Sequence, residues 1–372
     1  MRLAVLMALA GACGPAWDER EEAGLRVLTR EAWPRPGGRV PVEFEVLPGE
    51  SAALVAASVD AAQLGYMQRV TSPAAGVVLE ASELWDDPHN RANGAFSSSV
   101  VVMNWPLDAA AEPLTPGRWR FDVQVDQDDL PVDVAVVLKQ DDALDVGALG
   151  VDVVIERGLA ADPELSRGID EALARWRDDI YGPAGVELDV ALVPSDIPTH
   201  LPAPGRGEEE VYEAIAAARD RDRISLVVVS TLDDGPLVLG VAGGIPGPLT
   251  PTRNAAVTVS AAEAAGRDLR FDDGEIELLA ETMAHEVGHY LGLFHPVEIP
   301  RDGVIAATWD ALADTPECAG FETDCTADLG DNLMFPSPVC TGGGALGCDT
   351  FLHQTRLSAL QVALAQRYTG VR

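Results

Sequence analysis

Apolar and polar positions alternate with a short period over the first third of the chain, and the period then lengthens. Between residues 38 and about 145, RVPVEFEVLP, GVVLEASE, SSSVVVMNW, GRWRFDVQVD and VDVAVVLK are short runs separated by Pro, Gly, Asp and Asn. A period of two sends successive side chains to opposite faces of a strand, so strands at this spacing predict an all-β sandwich over 38–145. The acidic, glycine-containing KQDDALDVGALG (139–150) marks a boundary, and strand and helix patterns alternate beyond it. VDVVIERGL reads as a strand, and ELSRGIDEALARWRDDIYG as an amphipathic helix with Leu165, Ile169, Leu173, Trp176 and Ile180 on one face. VELDVALVP and EEEVYEAIAAARDRD repeat the pair. ISLVVVS is apolar throughout, as expected of a central strand covered on both sides. The Gly/Pro-rich LVLGVAGGIPGPLTP, a strand AAVTVS and a long helical pattern complete an α/β unit over 150–372 with a mixed, mostly parallel sheet.

That last helical pattern, DDGEIELLAETMAHEVGHYLGLFH, carries the chemistry. Its first turn is acidic, which suits the positive end of a helix dipole. Ile276, Leu279, Met283, Val287 and Tyr290 or Leu291 form its apolar stripe. His285 and His289 are four residues apart, so their imidazoles stack on one face and can share a metal ion. Gly292 supplies a residue that accepts positive φ, the usual way to end a helix, and a turn there brings His295 back as a third ligand. Three neutral imidazoles and one open position are the arrangement of a catalytic zinc site. Glu286, beside the first ligand, is placed to take a proton from water at the open position and pass it to a leaving amine. The competing account of these eleven residues is a helix with histidines on a solvated face. The remaining histidines, His89, His200 and His353, lack ligand spacing and read as surface or satisfied polar groups.

Charge and cysteines narrow the surroundings. The chain has 372 residues, 26 basic and 60 acidic, for a net charge of −34. So acidic a surface repels phosphate backbones and anionic headgroups, which argues against nucleic acid and membrane surfaces as ligands. Residues 1–12, MRLAVLMALAGA, have one basic residue and then an apolar run, the form of a secretory signal. The run ends LAGAC, which resembles a bacterial lipobox with Cys13 as the lipid-modified residue. Ala10 and Ala12 also fit an ordinary A-x-A cleavage site and free secretion. Residues 13–37, charged and punctuated by WPRPGG, read as a tether. Cys318, Cys325, Cys340 and Cys348 cluster near the C-terminus, and in an exported chain four such cysteines predict two disulfides. Their spacings lack the CxxC pairs of structural zinc, so a four-cysteine metal site is the weaker account.

HExxHxxGxxH followed by a methionine turn resembles the signature of the metzincin zinc peptidases. Here it is HEVGHYLGLFH, then DALADTPEC, then DNLMFP with Met334 as the turn methionine, and this order is most similar to the pappalysin-like family. The likeness covers about 150–372 and is specific over 280–340. It implies a metzincin-type catalytic domain, zinc held by His285, His289 and His295, endopeptidase activity on protein or peptide substrates, and Met334 as a floor beneath the metal. It further implies disulfides Cys318–Cys340 and Cys325–Cys348. It allows calcium in the loop carrying Asp310, Asp314 and Thr315, where ordinary exposed loop acids are the alternative. It also implies that Val241, Ala242, Gly243 and Gly244 form an antiparallel edge that pairs with extended substrate; a glycine-rich surface loop is the bland alternative. One departure stands out: Pro336 occupies the place where family members often carry a tyrosine that assists at the metal. The competing function is a surface-binding protein that keeps the peptidase fold without turnover.

Overall fold

The structure, a computed structural model, describes residues 16–59, 64–80, 96–97, 100–141, 144–145, 147–205, 209–220, 222–233, 238–265, 270–297, 310, 312–316, 322–344 and 347–372. It is a mixed α/β structure, rich in strands. The first ten strands are β1 (Asp18–Glu22), β2 (Leu25–Ala32), β3 (Arg39–Val46), β4 (Ala52–Ser58), β5 (Gly65–Ser72), β6 (Gly76–Glu80), β7 (Phe96–Ser97), β8 (Val100–Trp105), β9 (Gly117–Val125) and β10 (Val132–Lys139). They form two antiparallel sheets, β1-β2-β10-β4-β8 and β3-β9-β5-β6, with β7 pairing β5. The sheets face each other across one apolar core containing Val55, Val101, Met103, Val136, Phe44, Trp119 and Phe121.

The sequence pattern assigns residues 13–37 to a tether, and the structure departs from that. Residues 18–22 and 25–32 are strands of the first sheet, with Leu25, Val27 and Leu28 buried. Charges at Arg26, Arg30 and Glu31 hide the apolar positions when the chain is read residue by residue. The physical reason is that this sheet is covered on both sides. Leu28, Val55 and Val101 face the second sheet, whereas Leu25, Val27, Leu54, Val102 and Val137 join the core of the α/β unit. Double coverage also explains why β4, β8 and β10 are buried nearly throughout, without alternation. Across this seam Asn104 binds the C-terminal segment, donating to the Arg367 carbonyl and accepting from the backbone and hydroxyl of Thr369.

The α/β unit begins at β11 (Gly147–Glu156), slightly ahead of the expected start at 150, and continues with β12 (Val186–Ser195), β13 (His200–Leu201), β14 (Arg223–Val229), β15 (Thr231–Leu232), β16 (Gly240–Ala242) and β17 (Val257–Ser260). The main sheet has the order β12-β11-β14-β17-β16. All pairings are parallel except the last, where β16 runs antiparallel to β17 and has no further strand beside it among the described residues. The all-apolar β14 sits in the middle and is buried on both faces.

Helix Pro163–Arg175 starts at Asp162, whose side chain accepts from the N–H groups of Glu164 and Leu165, and runs on into a π-helical stretch, Trp176–Tyr181. Leu165, Ile169, Leu173, Trp176 and Ile180 are all buried along it. Against this pair lies the long helix Asp273–Tyr290, and the Tyr181 hydroxyl donates to its Ala284 carbonyl at 2.9 Å. A capping box starts the long helix: Asp272 accepts from the Glu275 N–H while Glu275 accepts from the Asp272 N–H, which satisfies two otherwise orphaned donors. Ile276, Leu279, Met283 and Val287 share a core with Leu226, Val228, Val257 and Val259 of the sheet. Helix Glu322–Leu329, the hairpin β18 (Cys340–Gly344) and β19 (Gly347–Phe351), and a closing helix Ala359–Gln366 complete the unit.

Candidate metal centre

The long helix presents His285 and His289 from its last two turns. Its backbone then reverses: Leu293 N–H donates to the Gly288 carbonyl and Gly292 N–H to the His289 carbonyl, with Gly292 at φ +104°. That conformation is strained for any residue with a Cβ, so the glycine fixes where the return begins. The reversal brings the Nε2 of His295 to 3.1 Å from that of His285 and 3.0 Å from that of His289.

Nitrogens this close need something between them. The Nδ1 of His285 lies 2.6 Å from the Leu333 carbonyl and that of His289 2.7 Å from the Leu293 carbonyl. A carbonyl only accepts, so each Nδ1 carries the proton and each neutral ring turns an Nε2 lone pair inward. Lone pairs facing one another repel unless a proton or a metal ion lies between them, and a metal ion satisfies all three rings at once. Two ligand nitrogens at ~2.1 Å from a tetrahedral zinc stand ~3.4 Å apart, close to the separations here. Burial, reinforced by His295, pushes the His285 imidazole down to about 3. Burial lowers His289 as well, with the neighbouring histidines adding to it. Both therefore hold the neutral, ligating form well below neutral pH. These three residues are a group able to hold a metal ion.

Glu286 lies between the two helical ligands and the sheet edge. Its carboxylate accepts from the Ala242 backbone, and burial raises it to about 8 against that bond's opposing pull. A Cβ placed on Gly240 would stand 2.6 Å from the Glu286 Cγ, so β16 passes the helix at a distance only glycine tolerates. Of the four residues expected at a substrate edge, Val241 and Ala242 lie in or at the end of β16, and Gly243 N–H bonds the Ala256 carbonyl. Leu239 and Gly243 direct their ladder groups to β17. By the alternation of an antiparallel pair, Gly240 and Ala242 turn theirs to the open edge.

Met334 is fully buried, with its sulfur 2.7 Å from where a Cβ on Gly288 would stand, beneath the step between the two helical histidines. Its own N–H donates to Asn332 Oδ1 at 2.8 Å, and Asn332 Nδ2 donates to Gln361 at 2.9 Å. The turn that carries Met334 also supplies the Leu333 carbonyl to His285. That carbonyl, the Leu293 carbonyl and Gly240 are working parts of the site that carry no side-chain signature. Only their place beside HExxH and the turn could have pointed to them.

Other expected residues lie elsewhere. Asp314 accepts from the Ser358 hydroxyl and the Leu360 N–H at the start of the closing helix, and Asp310 accepts from the Thr315 hydroxyl. Neither belongs to a group of three or more His, Cys, Asp or Glu ligands among the described residues. Cys325 and Cys340 are each disulfide-bonded. Cys13, Cys318 and His89 lie outside the described residues, and the Cys348 side chain is likewise not described. His200 is exposed and bonds the Thr231 hydroxyl.

No protein-family model matches the chain, and no curated protein does. Among solved structures it is matched to the crystal structure of protein YxiM from Bacillus subtilis, at 12% identity over 72% of this chain and 80% of that one, with a TM-score of 0.14. A score that low carries no information about a shared fold or chemistry.

Proposed function

We propose that the protein is an exported zinc endopeptidase of the metzincin type, most like the pappalysin-like family. The observation that carries this is the convergence of the His285, His289 and His295 Nε2 atoms, with Glu286 on the same helix turned towards an open antiparallel edge. The donor set fits zinc: three imidazoles, two of them held neutral and fixed by Nδ1–H bonds to backbone carbonyls. Zinc bound there would supply Lewis acidity, activating water and polarising a substrate carbonyl.

The chain's own groups do the rest. Glu286 takes the proton from the attacking water and returns it to the leaving amine. Burial raises the carboxyl above the ordinary carboxylate range, which favours its taking up a proton. The outward backbone groups of Gly240 and the Ala242 carbonyl align an extended peptide as an added strand, while the Ala242 N–H is held by Glu286. Buried Met334 and the Asn332 turn keep the floor and the His285 orientation fixed. With Pro336 where the family often has tyrosine, transition-state stabilisation falls to other groups. Disulfide-bonded Cys325 and Cys340 suit an oxidising, extracytoplasmic setting, where the lipobox-like Cys13 would anchor the chain.

The test compares parent and Glu286→Gln on casein and on a peptide library, with and without chelator. Chelator-sensitive cleavage by the parent, lost at least about a hundredfold in the variant, is expected. Equal cleavage by both removes the peptidase assignment. Purified protein never exposed to chelator is expected to hold zinc, and loss of that zinc in His289→Ala ties it to this site.

A further inference from the structure

The long helix carries ligand-type side chains every four residues: Glu277, Glu281, His285 and His289. The last two belong to the centre described above. The first two meet a histidine from elsewhere in the chain. His353, in the segment just after β19, places its Nδ1 2.7 Å from Glu277 Oε1 and 3.5 Å from Glu281 Oε1. One ligand atom from each of the three lies within 4.8 Å of the others.

Glu281 makes this more than a surface cluster. It is only 6% exposed, and burial followed by the charge of Glu277 raises its carboxyl to about 7, against the pull of the Gln354 N–H. Oε1 accepts that N–H at 3.0 Å and stands 3.5 Å from the His353 Nδ1. A buried carboxylate, a second carboxylate one turn away and an imidazole facing both bring three ligand atoms to one point. The Arg175 guanidinium, which also pairs with Asp273, stands 3.5 Å from Glu277 and makes no ion pair with Glu281 among the described residues.

We propose that Glu277, Glu281 and His353 form a second site for a divalent ion of the zinc class, which fastens the segment after β19 to the histidine helix. An imidazole with two carboxylates is a borderline donor set that suits zinc better than calcium, which prefers oxygen alone. Ligand atoms ~3.3 Å apart are what zinc at ~2.0–2.2 Å would require, and the separations of His353 Nδ1 from the two carboxylates bracket that figure. His353 is 63% exposed at its side chain, so water completes the coordination and the site is open to exchange. The ion would act on the neighbouring centre through Gln354. That residue donates to Glu281 through its backbone, and through its side-chain amide to the Gly330 and Ser337 carbonyls, which flank the turn of Met334. The site therefore braces one wall of the first centre without touching its ligands, and it does not depend on that centre being a peptidase.

The test is a zinc titration of the full chain after chelator treatment and exchange, with bound metal counted by native mass spectrometry and melting followed in parallel. Two equivalents are expected in the parent. One is expected in His353→Ala and in Glu277→Gln, both partly exposed positions that leave the core intact. One is also expected in His289→Ala. The second equivalent raises the melting temperature of the parent and not of His353→Ala. Two equivalents retained in both His353→Ala and Glu277→Gln overturn the site. A single parental equivalent that His289→Ala abolishes overturns it too, and leaves the histidine centre standing. A single equivalent that survives His289→Ala and is lost in His353→Ala upholds this site and removes the first.

Discussion

The Nδ1–H of His285 donates to the carbonyl of Leu333 at 2.6 Å, and Leu333 directly precedes Met334. One short turn thus sets a ligand's tautomer from its backbone and fills the space beneath Gly288 with its next side chain. Asn332 holds that turn from below, accepting from Met334 N–H and donating to Gln361 in a buried setting. Replacing Asn332 by Ala strands the buried Met334 N–H and removes one of the two donors to Gln361 Oε1, at a cost of about 1–3 kcal/mol. The His285 ring loses its fixed acceptor at the same time. Asn332→Ala is therefore expected to lower both the denaturant midpoint and the zinc affinity. An affinity equal to the parent's, measured by chelator competition, would separate the turn from the metal centre.

Gly292 makes a sharper test of the same geometry, because its effect is conformational. At φ +104° an alanine is strained by on the order of 1–2 kcal/mol. Nothing crowds the position, since the nearest atom to an added Cβ is Pro246 at 3.9 Å. Any strain must be relieved by moving the return to His295. Zinc affinity in Gly292→Ala is expected to fall about tenfold, the equivalent of ~1.4 kcal/mol, with little change in the helix itself by circular dichroism. An unchanged affinity would show that His295 reaches the metal from a backbone that does not need glycine.

Burial of Glu281 predicts a pH dependence of stability with a definite sign. Its folded-state value of about 7 lies above the ordinary 4.5, so the folded chain favours the protonated form. That contribution is complete below about pH 4.5 and is lost as the pH rises through about 7. Glu281→Gln stays neutral and can keep the bond from Gln354 N–H. In chelator-treated protein the variant should gain on the parent between pH 5 and pH 8, by up to on the order of 3 kcal/mol. Parallel unfolding midpoints for the two proteins across that range would sink the assignment.

These residues also mark how far the sequence could be read. His285, Glu286, His289, Gly292 and His295 fall within one helix end and its turn, where spacing alone determines geometry. The central burial of β14 was equally plain, because an apolar run with no alternation has one simple structural meaning. Leu25 and Val27 were not legible as core, because the partner that buries them lies in the other half of the chain. The carbonyls of Leu333 and Leu293 carry no side-chain identity at all. His353 lacks any ligand spacing of its own, and only the fold brings it to Glu277 and Glu281. Local chemistry was readable, and chemistry assembled by tertiary contact was not.

The sheet edge supplies the last prediction, and the ladder decides which residue tests it. Gly243 is a poor choice: its N–H bonds the Ala256 carbonyl, and a Cβ there would stand 1.9 Å from the Asn254 carbonyl oxygen. Gly243→Pro would break the edge strand as well as any substrate pairing. Gly240 faces the other way, with an added Cβ meeting Glu286 Cγ at 2.6 Å and Thr282 Cγ2 at 3.1 Å. Gly240→Ala must displace the Glu286 side chain or push β16 outward, and either change misplaces the proton carrier relative to an added substrate strand. None of the three histidines is touched, so zinc content should hold. Peptide cleavage is expected to lose at least about tenfold in kcat, since a misplacement of ~1 Å at a reacting group can cost a hundredfold. Full turnover in Gly240→Ala, with zinc retained, would mean that Glu286 does not work from against β16.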